Sequence, residues 1–524
     1  MSFERVSPPQ VNYDNVLPLA VESRSNRREF LPVNGQSFGN ANGATIIRID
    51  VNADSMLDAT HSYLEVDITN KAGADSFLGV NPFSPSFIQR LRIESGGVVI
   101  EDINEYSRLY SMLILNQTPQ DYVKNNLGNM GMYSPVVGGN LQAAAVAGGG
   151  VSVGGAMGFG TQAAIPTPAT GTPFTPALSS VGGNLDTELY YPPSAQAVIG
   201  GTSRLTDDGA SVAGAVNQPT DSGLAVIHAK SKIANNATRR MCIPLVSGFL
   251  NMDRYIPLIM MNAGFTIELT LCDANRIGQT QTETAGNAGA FVPSVWELSN
   301  VKYVAHLIDM ERDFYDRLRL VMDDAGGTLQ LAGQTYRHYT GNLPVGVGPH
   351  TITLPARVKS VKSIFGTFID STQMGSENNY DTSVFQSAFL DTYRFEIGSV
   401  RYPQSDVKCS TVENSVELMK AWGKLGDYSH QQAFSKKHVQ NAQDIRDGST
   451  LQKSTLSAYT IGYDFEAFQR VALESGINTA DRSLPINFIC QRSAPTTNAT
   501  RADFYVLTDA IFYINLDGTA SVSV

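Results

Sequence analysis

Seven histidines and four cysteines are the residues best able to hold a metal or move a proton, and their spacing does not organise them. His61, His228, His306, His338, His350, His430 and His438 form no H-x-H and no H-E-x-x-H pair, so the helical zinc pattern is absent. Cys242, Cys272, Cys409 and Cys490 form no C-x-x-C, which removes the zinc-ribbon and thioredoxin readings. Four cysteines in 524 residues are too sparse for a disulfide framework, so buried free thiols are expected. Asp50-x-Asn52-x-Asp54 opens like a calcium loop, but Ser55 stands where Gly is needed and His61 where a bidentate Glu is needed. Gly158, Gly160 and Ala163 match G-x-G-x-x-A without the strand before and helix after that aim a helix N-terminus at a pyrophosphate. Asp207/Asp208 and Asp323/Asp324 adjoin Gly209 and Gly326, which turns explain better than acid–base work. With no G-x-S-x-G elbow and no Walker A motif, the expectation is no catalytic, cofactor-binding or metal-binding set, and no enzyme.

The elements around these residues are strands. Charged residues make up 17% of the chain, against about 25% in typical soluble domains. Val, Ile, Thr, Tyr, Phe, Gly and Asn are abundant, which favours strands joined by turns. A formal charge of −11 makes nucleic acid an unexpected main ligand, since such binding rests on phosphate neutralisation. The first residues lack an apolar signal region, and no run of 18 apolar residues occurs, so neither secretion through a signal peptide nor a membrane-spanning helix is expected.

From Ala44 onward the residues alternate. Ile47, Ile49 and Val51 are spaced by two, as are Leu64, Val66 and Ile68, and Phe265, Ile267, Leu269 and Leu271. Each series puts one face in a core and one in water. Gly96-Gly97 between the runs 87–94 and 98–100 predicts a hairpin. Ile103, Tyr106, Leu109, Tyr110 and Leu113 predict a short helix, and Val412, Val416 and Met419 a second one ending near Trp422.

Two segments break the pattern. Residues 1–43 are polar and carry Pro8, Pro9, Pro18, Pro32 and the cluster Arg24, Arg27, Arg28, which reads as an N-terminal arm. No charged residue lies between Lys124 and Asp186, and the Gly/Ala-rich stretch 131–225 reads as a long insertion ordered by contact with other copies of the chain. One echo is informative: Arg92-Ile-Glu-Ser-Gly96 and Arg394-Phe-Glu-Ile-Gly398, each followed by a helical pattern, predict two similar all-β sandwiches in tandem.

The segments Met56–Leu64 and Phe87–Tyr106, with Ile243–Leu250, Tyr255–Leu258 and Phe265–Leu271, resemble the first domain of double jelly-roll major capsid proteins of the polinton-like virus and virophage type, in the adenovirus-hexon lineage. The resemblance is strongest over 44–310 and stylistic over 311–524. It implies an all-β fold of two tandem eight-stranded jelly rolls with short helices: a first roll over 44–310 holding the insertion 131–225, and a second over 311–524. It implies a homotrimer forming pseudo-hexagonal capsomers that tile an icosahedral shell around a double-stranded DNA genome. Expected partners are neighbouring capsomers, penton proteins and minor capsid or cement proteins, with an inner contact through Arg24, Arg27 and Arg28, and no cofactor or small-molecule substrate. The expected location is the virion, assembled inside the host cell. A carbohydrate-binding or carbohydrate-cleaving sandwich is the alternative; it needs exposed aromatics, and the two tryptophans, Trp296 and Trp422, lie far apart. Host attachment by the insertion would add to the capsid role.

Overall fold

A computed structural model describes residues 22–118, 126–132, 232–423 and 459–524, apart from short gaps within those spans. The insertion 131–225 therefore lies almost wholly outside the described residues, as do His228, His430 and His438. The first half carries β1 (Ser23–Phe30), β2 (Ser37–Phe38), β3 (Ile46–Val51), β4 (Met56–Asn70), β5 (Ser76–Val80), β6 (Ile88–Ser95), β7 (Val98–Asn104), helix α1 (Tyr106–Gln117), β8 (Lys232–Ala234), β9 (Thr238–Ile243), β10 (Ile256–Pro257), β11 (Phe265–Leu271), β12 (Gly278–Thr284), β13 (Asn287–Val292) and β14 (Trp296–Met310). Helix α2 (Arg312–Asp324) leads to the second half: β15 (Thr328–Leu343), β16 (Gly348–Leu354), β17 (Val361–Asp370), β18 (Leu390–Ile397), β19 (Val400–Lys408), α3 (Glu413–Trp422), β20 (Thr460–Asp464), β21 (Ile486–Arg492), β22 (Thr500–Asn515) and β23 (Ala520–Ser523).

Each half is a pair of facing antiparallel sheets. The first sets β1-β14-β4-β10, with β9 also on β4, against β3-β11-β6-β7; the second sets β15-β22-β17-β20 against β16-β21-β18-β19. The two orders are the same once strands are counted within each half, and they are the orders of an eight-stranded jelly roll. The duplication extends to position: β6 and β7 begin at Ile88 and Val98, β18 and β19 at Leu390 and Val400, the same 302-residue step that separates Arg92 from Arg394. A small extra sheet, β13-β12-β5-β8, belongs to the first half.

The cores follow from the alternation. In β11, Phe265, Ile267, Leu269 and Leu271 are buried while Thr266, Glu268 and Thr270 are half-buried. Each such buried side chain stabilises by about 1.5–3 kcal/mol relative to exposure. The intervening charges pair across the strands: Glu268 meets Arg48 on β3 and Arg92 on β6. Gly96 and Gly97 turn the β6–β7 hairpin at φ of +56° and +83°, values that residues with a Cβ rarely adopt.

Three expectations change. Residues 23–30, placed by sequence in a polar arm, form β1, paired along its whole length with β14 and completing the first roll. An edge strand is held by backbone hydrogen bonds and charged side chains, so it needs no apolar alternation to betray it. Helix α3 turns Leu418, Ala421 and Trp422 inward and leaves Met419 38% exposed, the reverse of the Val416–Met419 face predicted from spacing. The last two apolar runs of the sequence, 504–507 and 510–516, are not separate elements but fall in one strand, β22, with Leu516 just beyond its end.

Candidate functional site

The two rolls meet along a seam in which β7 packs against β15 and β23. One buried cluster runs continuously across it, joining Phe249, Phe265 and Ile103 of the first half to Phe512, Ile514 and Tyr505 of the second. Phe249 meets Phe512 edge-on at 5.4 Å. The backbones approach so closely that a Cβ on Gly248 would lie 2.1 Å from the carbonyl oxygen of Gln334.

Helix α1 is positioned by this packing. Tyr106, Leu109, Tyr110, Met112 and Leu113 are buried, as spacing suggests, but so are Ser107, Arg108 and Ser111. A helix buried on all sides must pair its charges internally. Arg108 forms an ion pair with Asp503 on β22, and both are almost fully buried. Asp503 also accepts from His338 Nε2 at 2.9 Å and Arg501 Nε at 3.0 Å. Glu105, just before the helix at φ +50°, receives Arg276 at 2.6 Å and Arg501 at 3.0 Å, and its carbonyl accepts from the Tyr505 hydroxyl at 3.0 Å. Burial works to raise the Glu105 carboxyl, but Arg108 and Arg276 outweigh it and hold it down at about 2. Burial is likewise overcome at Asp503, which Arg108 and His338 hold below the usual carboxylate range.

Glu101 on β7 is a second seam carboxylate of opposite character. It accepts from the Ser247 and Thr335 hydroxyls and from Gly248 N at 2.8 Å. Burial pushes its carboxyl upward, against the pull of these donors. Beside it the rolls line an open cavity of about 840 Å³ between the ends of α1 and α3. On its wall Lys362 is gripped by Glu466 at 2.8 Å and Asp509 at 3.1 Å. These groups are engaged with one another within the second roll, whereas Arg108–Asp503, Arg501–Glu105 and Thr335–Glu101 cross between the two halves.

Of the described residues singled out in the sequence, the structure brings His61 and His306 near one another and leaves the others dispersed. His61 Nδ1 lies 2.7 Å from Asp58, with the His306 ring 6.0 Å away, on the first roll's surface; His350 contacts the Gly346 carbonyl; of the described histidines, only His338 reaches the seam. Asp50 accepts from Thr266 across β3 and β11, so the calcium-like segment is strand. Asp323 and Asp324 end α2, exposed; the Gly158 motif and Asp207/Asp208 fall outside the described residues. Among the described residues no three His, Cys, Asp or Glu side chains gather where a metal could sit. Cys272, Cys409 and Cys490 are buried, Cys242 half-buried, and all four are free thiols. Trp296 is fully buried and Trp422 stacks on Phe365 at 3.6 Å, so neither offers an exposed platform for a sugar. Arg27 pairs with Glu29 and lies 3.9 Å from Glu65, and Arg28 covers the Phe30 ring. Sequence reasoning passed over Glu105, Arg108 and Asp503; the available signal was charge inside otherwise apolar runs, YSRLYSML and ADFYVL.

No protein-family model and no curated protein sequence matches the chain. Among solved structures, the quasi-atomic PBCV-1 virus capsid aligns with a TM-score of 0.52 at 10% identity, covering 98% of this chain and 99% of that one. PBCV-1 VP54, fitted into a reconstruction of the virophage Sputnik, gives 0.51 at 10% identity over 98% and 99%. The Faustovirus major capsid protein gives 0.50 at 10% identity over 95% and 92%. At this identity the likeness is one of fold: the chain has the double jelly-roll architecture, end to end, of these viral proteins.

Proposed function

We propose that this chain is a major capsid protein, three copies of which join into a pseudo-hexagonal capsomer that tiles an icosahedral shell around double-stranded DNA. The observation that supports it most is the repeated roll itself: two jelly rolls of identical strand order, fused through a buried seam, over nearly the full length of the PBCV-1 capsid chain. Among the described residues, the buried pairs Arg108–Asp503 and Glu105–Arg501 cross between the two sandwiches, which suits a rigid block.

In this reading the first roll runs from β1 to β14, α2 is the link and the second roll follows. For the insertion 131–225, which lies almost wholly outside the described residues, contact with other copies or with a host surface is the role proposed. Arg24, near the start of β1, keeps an inward contact; Arg27 and Arg28 are engaged on the roll itself. Neighbouring capsomers, penton proteins and minor capsid or cement proteins are the partners, and the virion, assembled in the host cell, is the location. Light scattering on the purified full chain tests the reading. The expected species is a trimer of 56.5 kDa chains, seen as hexagonal blocks by electron microscopy. A stable monomer at all concentrations overturns it.

A further inference from the structure

The seam inside the chain names the surfaces that must meet between chains. Within one chain, β7 of the first roll lies against β15 of the second. By strand order and by the 302-residue step, the second roll's copy of β7 is β19, and the first roll's copy of β15 is β1. The chain uses one member of each pair; among the described residues the other is not packed against a strand of the opposite roll in the same way. On β7, Ile100, Glu101 and Ile103 are buried; on β19, Val400, Arg401, Gln404 and Ser405 are exposed. On β15, Leu331 and Thr335 are buried; on β1 every residue before Phe30 is exposed.

The faces correspond as well as the strands. In β15, Leu331 and Gly333 sit opposite Phe512 and Ala510 of β22, on the face that Phe249 of the first roll covers. In β1, Asn26 and Arg28 sit opposite Leu307 and Ala305 of β14, on the face that ends in buried Phe30. Nothing among the described residues ion-pairs Arg24 or Arg28. On the other side, register shows how β19 departs from β7. Glu101 faces Ile93 and Ile103 faces Leu91, with one residue between them; Tyr402 faces Phe395 and Val407 faces Tyr393, with residues 403–406 between them. The additional residues bulge from the sheet edge.

We propose that β19 of one copy, led by the bulge 403–406, packs across the exposed face of β1 of the next copy, repeating between chains the seam that β7 and β15 make within one. This rests on the capsomer reading and specifies its contact. The occupant is a second copy of this chain, because the chain already shows that a roll's β7-type edge accepts a β15-type strand. Such a head-to-tail contact is heterologous, and it closes into a ring when the rotation returns to the start.

The test places cysteines on the full chain at Asn26→Cys and Gln404→Cys. Under mild oxidation, the double variant is expected to give two-chain and three-chain species on a non-reducing gel. Each single variant alone gives none, and the two single variants co-expressed stop at two chains. A second pair, Arg28→Cys with Ser405→Cys, guards against a one-residue error in register. Trimers by light scattering with no cross-link from either pair overturn this contact and leave the capsomer reading standing. Monomers without the cysteines overturn both.

Discussion

Removing the Arg108 guanidinium tests whether the seam is held by paired buried charge. Arg108→Met keeps most of the side chain's volume and leaves Asp503, which is fully buried, without its closest cation. Breaking a buried ion pair from one side costs about 3–5 kcal/mol. Asp503 retains His338 at 2.9 Å and Arg501 at 3.0 Å, and Glu105 retains Arg276, so the lower end, about 3 kcal/mol, is expected. For a roll of this size each kcal/mol moves the melting midpoint by about 2–4 °C, so calorimetry at pH 7 should show a fall of about 6–12 °C. The double variant Arg108→Met/Asp503→Leu removes both desolvated charges and should recover most of the loss. The acid limb carries a second signature. Glu105 and Asp503 have folded pKa values below their unfolded ones, so their stabilisation is complete above about pH 4.5 and is lost as pH falls from there toward 2. Without Arg108 both carboxyls rise, and the loss begins at higher pH. A single variant melting within 2 °C of the parent, or a double variant no better than the single, would refute the assignment, since 2 °C is at most about 1 kcal/mol.

Other outcomes follow from the same geometry. Leu269→Asp puts a carboxylate between Ile47 and Leu91 in a fully buried position, costing several kcal/mol; the yield of soluble folded protein on size exclusion with light scattering should collapse, and an unchanged yield would contradict the inward face of β11. Gly248→Ala forces a Cβ against the Gln334 carbonyl and should lower the melting midpoint, whereas Gly346→Ala, with open space around it, should not; equal effects would mean the seam backbones are not in contact. Glu101→Gln probes the opposite pH sign. Its folded pKa lies above the unfolded value, so it withdraws stability as pH rises from about 4.5, and the variant should gain on the parent between pH 4.5 and pH 7; a constant difference across that range would be inconsistent with a buried carboxylate there.

What could be read from the sequence was what is periodic. Phe265, Ile267, Leu269 and Leu271 announce a strand because alternate side chains must share a face, and Gly96-Gly97 announces its hairpin because few residues accept a positive φ. The echo between Arg92-Ile-Glu and Arg394-Phe-Glu was legible because both sit at the same place on matching strands. β1 was not, since an edge strand built from Arg, Asn and Glu has the composition of a solvated tail. The seam was not either: Glu105 and Arg501, or Arg108 and Asp503, are paired by the fold alone, and nothing local marks the partners. Helix α3 shows the limit of spacing, because two apolar stripes were available and the one carrying Leu418, Ala421 and Trp422, with Trp422 stacked on Phe365, is the one turned inward.

The distance along the chain between Arg108 and Asp503, 395 residues, has a consequence for the order of synthesis. Domains fold as they emerge, N-terminal first, so the first roll is complete at Met310 while the acid that neutralises its buried arginine has yet to be translated. Until β22 arrives, Arg108 lacks its closest counter-charge, so the charge balance around α1 is completed only by the last long strand of the chain.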